Sequence, residues 1–211
     1  MPATAPAVEG RVVLADVDWQ TYARLRDVPG NRNLRMTYDR GVLEIVSPSK
    51  LHERITELLG RLILAWTEVH DIPVQSCGSM TCRGEWHRRG LEPDKCYYVQ
   101  HESAVREREE IDLAIDPPPD LAVEVDVSHL STDRLPIYAA LRVAEVWRWA
   151  AGALELLVLD ESGRYVSARE SQALPGFPID EAARVLERRH AADETSLARA
   201  FRRRIQRGRE S

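Results

Sequence analysis

The run Val123-Glu124-Val125-Asp126 places two carboxylates inside an otherwise β-branched, apolar stretch. Side chains alternate along a strand, so Glu124 and Asp126 share one face and Val123, Val125 and Val127 the other. An ionised carboxylate on a buried strand is costly unless it is ion-paired, hydrogen-bonded or bound to a metal. A further acid, Asp94, opens the candidate strand that follows Glu92-Pro93. If the two strands pair, Asp94 and Glu124 converge on a site suited to Mg²⁺ or Mn²⁺, which prefer carboxylate oxygens and water. The alternative is equally open at this stage: an exposed strand face, or acids neutralised by buried arginines.

Downstream, Arg134, Ile137, Tyr138 and Leu141 recur on one helical face, so Arg134 belongs to the stripe that packs on the sheet. There it either extends to solvent or meets the acids as a salt-bridge partner.

The elements that must position these groups are legible in outline. Asp18 is a plausible cap for a short helix over residues 18–25. Two strands, 34–38 and 42–46, flank Asp39-Arg40-Gly41, a hairpin signal. Ile55, Leu58, Leu59, Leu62, Ile63, Trp66 and Val69 form the stripe of a long helix, with Ser47 or Ser49 as its cap and Asp71-Ile72-Pro73 as its end. His52 extends that stripe toward the sheet, while Glu53 falls on the flank. Strands are expected at 74–77, 80–83, 94–99, 121–127, 145–149 and 154–160, and about 163–168. The second helix covers about 133–141 with Ser131 or Thr132 as cap, and further helices cover 181–188 and 196–205.

The 211 residues, 44% hydrophobic and 30% charged, suffice for one domain with its own core. No apolar run reaches the roughly 18 residues of a membrane span. Three cysteines, Cys77, Cys82 and Cys96, contain no CxxC pair, which argues against zinc and against a disulfide scaffold. With no secretory signal visible at Met1-Pro2-Ala3, a cytoplasmic location is expected. A net charge of −5 speaks against nucleic acid on average, yet the end of the chain is rich in arginine. Of 29 basic residues only Lys50 and Lys95 are lysines, so a mechanism that needs lysine has two candidates.

Three stretches in order carry a resemblance: residues 90–99 (GLEPDKCYYV), 116–125 (DPPPDLAVEV) and 137–148 (IYAALRVAEVWR), with Leu43–Pro48 and His52 ahead of them. They resemble the Uma-two family of restriction endonucleases, within the PD-(D/E)XK nuclease superfamily, over about residues 34–160. The resemblance implies an α/β (α+β) fold with a restriction-endonuclease-like core. That core is a mixed central β-sheet flanked by helices, with an N-terminal β-hairpin and C-terminal helices. It further implies a divalent-metal-dependent DNA endonuclease, using Mg²⁺ or Mn²⁺, that hydrolyses phosphodiesters with metal-activated water. Pro93-Asp94 matches the PD element and Glu124 the (D/E) position.

Two residues after Glu124 the superfamily pattern calls for lysine, and Asp126 stands there. Family members often carry the lysine on the next helix, four residues before the tyrosine, and here that position is Arg134. Arginine stays protonated and cannot serve as a base, but its planar donors suit a phosphate and the charge that builds on it. The candidate catalytic set is therefore Asp94, Glu124, Arg134, Asp126, Glu53 and His52, with Asp94, Glu124 and Asp126 as metal ligands. Glu53 sits where this superfamily often adds an acid, and is also explained as an ordinary flank glutamate. Trp147 and Trp149 share a strand face and suit core packing or a dimer contact better than base stacking.

Residues 1–15 are expected to be a loose leader, 16–190 a single domain, and 191–211 an arginine-rich helix and tail. The expected partner is double-stranded DNA, with no membrane, and a twofold homodimer is the common arrangement for cutting both strands. The competing reading is a catalytically degenerate nuclease fold that binds DNA or protein.

Overall fold

A computed structural model describes residues 10–127 and 133–209. Ser131 and Thr132, the expected caps of the second helix, lie outside the described residues. The chain opens with β1 (Gly10–Leu14), α1 (Trp19–Asp27), β2 (Arg35–Asp39) and β3 (Val42–Ser47). Asp18 caps α1 by accepting from the Thr21 amide at 2.6 Å. The β2–β3 hairpin turns through Arg40 and Gly41, both at positive φ, a conformation glycine adopts without a Cβ clash.

Residues 10–14, assigned by composition to the loose leader, instead pair antiparallel along β3, from Gly10 opposite Ser47 to Leu14 opposite Leu43. Every side chain of β1 is exposed, so no burial periodicity marked it in the sequence. The pairing also brings a partner to Glu44. It is fully buried and ion-paired to Arg11 at 2.5 Å.

α2 (Lys50–His70) follows, capped by Ser49, whose Oγ accepts from the His52 amide at 3.2 Å. It ends where Asp71 turns left-handed at φ 53°. Four short strands come next: β4 (Gln75–Gly78), β5 (Cys82–Gly84), β6 (Arg89–Leu91) and β7 (Lys95–Tyr98). β6 escaped the sequence reading because Arg-Gly-Leu has neither β-branching nor alternation. With it the expected hairpin becomes the middle of a five-stranded sheet, ordered β1-β3-β2-β6-β5. α1 covers this sheet with Trp19 and Tyr22 against Met36, Tyr38 and Leu43.

After α3 (Glu102–Val105) come β8 (Leu121–Asp126), α4 (Leu135–Ala140), β9 (Glu145–Ala150), β10 (Ala153–Leu159) and β11 (Tyr165–Ala168). The second sheet is ordered β11-β10-β9-β8-β7-β4. It is mixed as expected: β8 runs parallel to β9, and the other neighbours pair antiparallel. α5 (Ile179–Glu187) and α6 (Glu194–Arg209) close the described chain.

Alternation along β8 decides which core each residue joins. Val123 and Val125 meet Leu59, Leu62 and Trp147 in the core beneath α2, α5 and α6. Ala122 points the other way, to Ile137 and Tyr138 of α4. Trp147 and Trp149 are core residues, which excludes them from stacking on bases. The arginine-rich helix α6 docks by its apolar side, with Phe201 and Ile205 buried and Arg202 ion-paired to Glu68 of α2. Among the described residues no helix is long and apolar enough to cross a membrane.

Candidate active site

β7 and β8 pair antiparallel with Lys95 opposite Val123, and the Asp94 amide, just ahead of β7, donates to the carbonyl of the same Val123 at 3.1 Å. Asp94 lies in the bend just ahead of β7, and its carboxylate accepts from the Val125 amide, which brings its charge to bear on Glu124. Two buried carboxylates thus lie close enough to repel each other near the centre of a sheet, an arrangement that like charges disfavour. The strand pairing on which their convergence depends is present.

Each acid has its own set of donors. Asp94 Oδ2 accepts from His52 Nε2 at 2.9 Å and from the Val125 amide at 2.7 Å. Oδ1 has no donor among the described residues. Burial works against ionising Asp94, but the hydrogen bond and charge of His52, the charge of Arg134 and the Val125 amide together hold its carboxyl below the usual aspartate value. Glu124 Oε2 accepts from Arg134 Nη1 at 2.5 Å, and Oε1 accepts from the Tyr138 hydroxyl. Burial pushes Glu124 up to about 7, and the neighbouring Asp94 charge adds to this while Arg134 and Tyr138 oppose it. Tyr138, buried beside Glu124, is raised well above the usual phenol value.

The fold explains each placement. His52 lies in the first turn of α2, whose apolar stripe turns it toward the sheet. Arg134 is the residue preceding α4, and Pro136 in the first turn fixes the entry to the helix without costing a hydrogen bond. One turn on, Tyr138 projects from the same face. Asp94 is anchored from behind by Glu92, which accepts from the Met36 amide at 2.7 Å and from Arg26 Nη1 at 3.2 Å, tying the first sheet to the approach to β7.

The remaining candidates are less central. Asp126 is half-buried at the end of β8, on the face of Glu124. Glu53 is largely solvent-facing on α2, 4.0 Å from Arg35 Nη2, and no contact joins it to Asp94 or Glu124. Lys95 points toward α2, where Nζ donates to Glu57 Oε1 at 2.7 Å, and Lys50 is exposed in the first turn of that helix. Neither lysine meets the acids. Tyr138 is the site residue that sequence reasoning named only as helix stripe. Its signal was the four-residue spacing from Arg134, which puts both on one face.

Among the described residues no group of three or more His, Cys, Asp and Glu side chains is arranged to hold a metal ion. The donor set still fits a hard dication through two carboxylates, Asp94 with its open Oδ1 and Glu124. Mg²⁺ commonly takes one or two carboxylates and completes its shell with water and substrate phosphate.

A mixed sheet with helices on both faces, and neighbouring acids beside a basic residue at its centre, define a restriction-endonuclease-like α+β fold. The chain belongs to the Uma2 family, described as "Putative restriction endonuclease", whose pattern matches residues 19–192. That span takes in the whole site and stops before α6. No curated protein matches the chain.

Proposed function

We propose that this protein is a divalent-metal-dependent DNA endonuclease, with Asp94 and Glu124 as metal-holding carboxylates and Arg134 as the phosphate-facing cation. The observation that carries the reading is the buried, neighbouring pair Asp94–Glu124, a concentration of negative charge that stability alone does not call for. A dication bound there would polarise the phosphodiester and ease deprotonation of the attacking water. His52 and the Val125 amide keep Asp94 ionised and oriented. Tyr138 fixes Oε1 of Glu124, and Arg134 balances the charge of both acids. Arg134 Nε is buried without a partner among the described residues, a donor well suited to a phosphate oxygen. Asp126, on the same strand face, would assist at the edge, and Glu53, next to His52 on α2, would assist from the flank. Double-stranded DNA is the proposed substrate, and a twofold pair of chains would supply one site per strand.

The test is cleavage of supercoiled DNA in Mg²⁺ and in Mn²⁺ by the wild type, Asp94→Ala and Glu124→Ala. Cleavage by the wild type alone supports the assignment, and undiminished cleavage by both folded variants removes it. A second reading rests on the contacts of Glu124, both of whose oxygens are already taken by Arg134 and Tyr138. On that reading the ion pair is structural and the fold serves to bind DNA or protein. Calorimetric titration with Mn²⁺ separates the two: heat that disappears in Asp94→Ala favours the enzyme, and no heat with wild type favours the binding module.

A further inference from the structure

Trp86 is 93% exposed, at the tip of the β5–β6 hairpin, whereas Trp19, Trp66, Trp147 and Trp149 are all 8% exposed or less. Both faces of this indole are open to a flat partner. The tip that carries it is held firmly. The His87 amide donates to the Gly84 carbonyl at 3.1 Å, and the Arg88 amide to the Glu85 carbonyl at 2.9 Å. The Arg40 amide then donates to the Arg88 carbonyl at 3.0 Å, joining this tip to the β2–β3 turn.

Around the indole the charge is mostly cationic. Arg88 is exposed and makes no ion pair among the described residues. Arg40 and Arg89 both donate through Nε to a single oxygen, Asp39 Oδ1, at 3.0 and 2.9 Å, so one carboxylate serves two guanidinium groups. His87 is exposed beside them, and Glu85 is the one acid in the turn.

The hairpin is built onto the candidate site. Arg89 Nη1 donates to the carbonyl of Pro136 in α4 at 3.1 Å, midway in sequence between Arg134 and Tyr138. β6 then runs through Leu91, Glu92 and Pro93 directly to Asp94. Trp86 and Asp94 are eight residues apart in sequence, at most about 28 Å of extended chain. The tip is therefore no farther from Asp94 than a strand of several nucleotides can span.

We propose that the β5–β6 tip is a nucleic-acid contact in which Trp86 stacks on a base while Arg88 and Arg40 meet the adjoining phosphates. An aromatic face with neighbouring guanidinium groups is the chemistry that holds an unstacked base and its backbone. A protein partner or a second copy of this chain would need an apolar surround, and the neighbours of Trp86 are charged. The inference deepens the nuclease reading and rests on it for the path of the strand, but its readout is binding, not cleavage.

Single-stranded and duplex oligonucleotides of one sequence are titrated into the whole protein without divalent metal, following tryptophan emission and the anisotropy of a labelled copy. Stacking quenches the one exposed indole, so quenching is expected in the wild type and absent in Trp86→Phe, which keeps an aromatic face and binds within about threefold. Trp86→Ala weakens binding about tenfold. Arg88→Ala lowers the salt dependence by about one phosphate contact.

Binding is read without divalent metal and cleavage of supercoiled DNA with it, so loss of the docking proposal and loss of the nuclease proposal are read separately. Equal binding by Trp86→Ala and wild type overturns the inference. So does the absence of wild-type binding to both oligonucleotides, or a Trp86→Ala effect confined to self-association in sedimentation.

Discussion

Arg134 Nη1 meets Glu124 Oε2 at 2.5 Å across ten residues of sequence, with both side chains buried. The contact joins the residue before α4 to the centre of β8. It sets a permanent cation against a carboxylate that burial and Asp94 would otherwise drive toward the protonated form. Much of what the site does with pH and with substitution follows from this pair.

Removing the cation leaves Glu124 buried beside Asp94 with Tyr138 as its remaining side-chain donor. Arg134→Ala should therefore cost roughly 3–5 kcal/mol at pH 8, as unpaired buried charges do. The cost should shrink toward pH 5, where Glu124 can take up a proton. Urea unfolding at the two pH values measures it, and an equal loss at both would mean that the pair carries no charge coupling.

The carboxyl of Glu124 titrates near 7 in the folded chain, against an ordinary 4.5. Between those values the folded state holds a proton that the unfolded state has lost, so Glu124's contribution to stability falls as pH rises from 4.5 to about 7. Glu124→Gln removes that contribution and flattens the profile across the same window. Chemical denaturation in EDTA at half-unit pH steps would show the difference in slope, and superimposable profiles would refute the raised value.

Tyr138→Phe deletes the hydroxyl that donates to Glu124 Oε1 and changes little in volume. Leaving that buried acceptor short of a donor should cost about 1–3 kcal/mol above pH 7, and less below it. If the enzyme cleaves DNA, the variant's pH–rate curve should shift to higher pH, because the ionised form of Glu124 has lost a donor.

His52→Ala withdraws one of two donors from Asp94 Oδ2. The carboxyl of Asp94 should rise, and Mn²⁺ affinity should drop on the order of 10- to 100-fold, the usual effect of losing a group that orients a ligand. Titration calorimetry reads this directly. Unchanged affinity with an intact fold would place the metal elsewhere.

Gly90 offers a check on the frame behind the site. A Cβ there would lie 2.4 Å from the Tyr22 hydroxyl and 3.0 Å from both Tyr22 Cε1 and Arg83 Cβ. Gly90→Ala should destabilise by about 1–3 kcal/mol through overpacking. The Tyr22 hydroxyl is buried without a partner among the described residues, so Tyr22→Phe alone should be nearly neutral and should recover part of the loss in the double variant. A double-mutant cycle by thermal unfolding supplies the coupling energy.

The sequence by itself determined the local elements with strong periodicity or end chemistry. The α2 stripe from His52 to Trp66, the Asp18 and Ser49 caps, the hairpin at Arg40-Gly41 and the alternation that put Glu124 opposite in sense to Val123 all follow from spacings of a few residues. Those spacings also made Asp94, Glu124 and Arg134 candidates. Strands without a one-sided apolar pattern stayed hidden: β1, whose side chains are exposed, and β6, with glycine at its middle. Their existence depends on backbone partners far along the chain.

Only the tertiary structure decided the pairings. It set the charge of Asp94 against Glu124, gave His52 to Asp94 and Tyr138 to Glu124, drew Lys95 away to Glu57, and left Glu53 half-buried near Arg35. Charge and hydrogen-bond energies depend on distances of a few ångströms between residues tens of positions apart. Strand register and helix docking fix those distances, and no short-range pattern in the sequence records them.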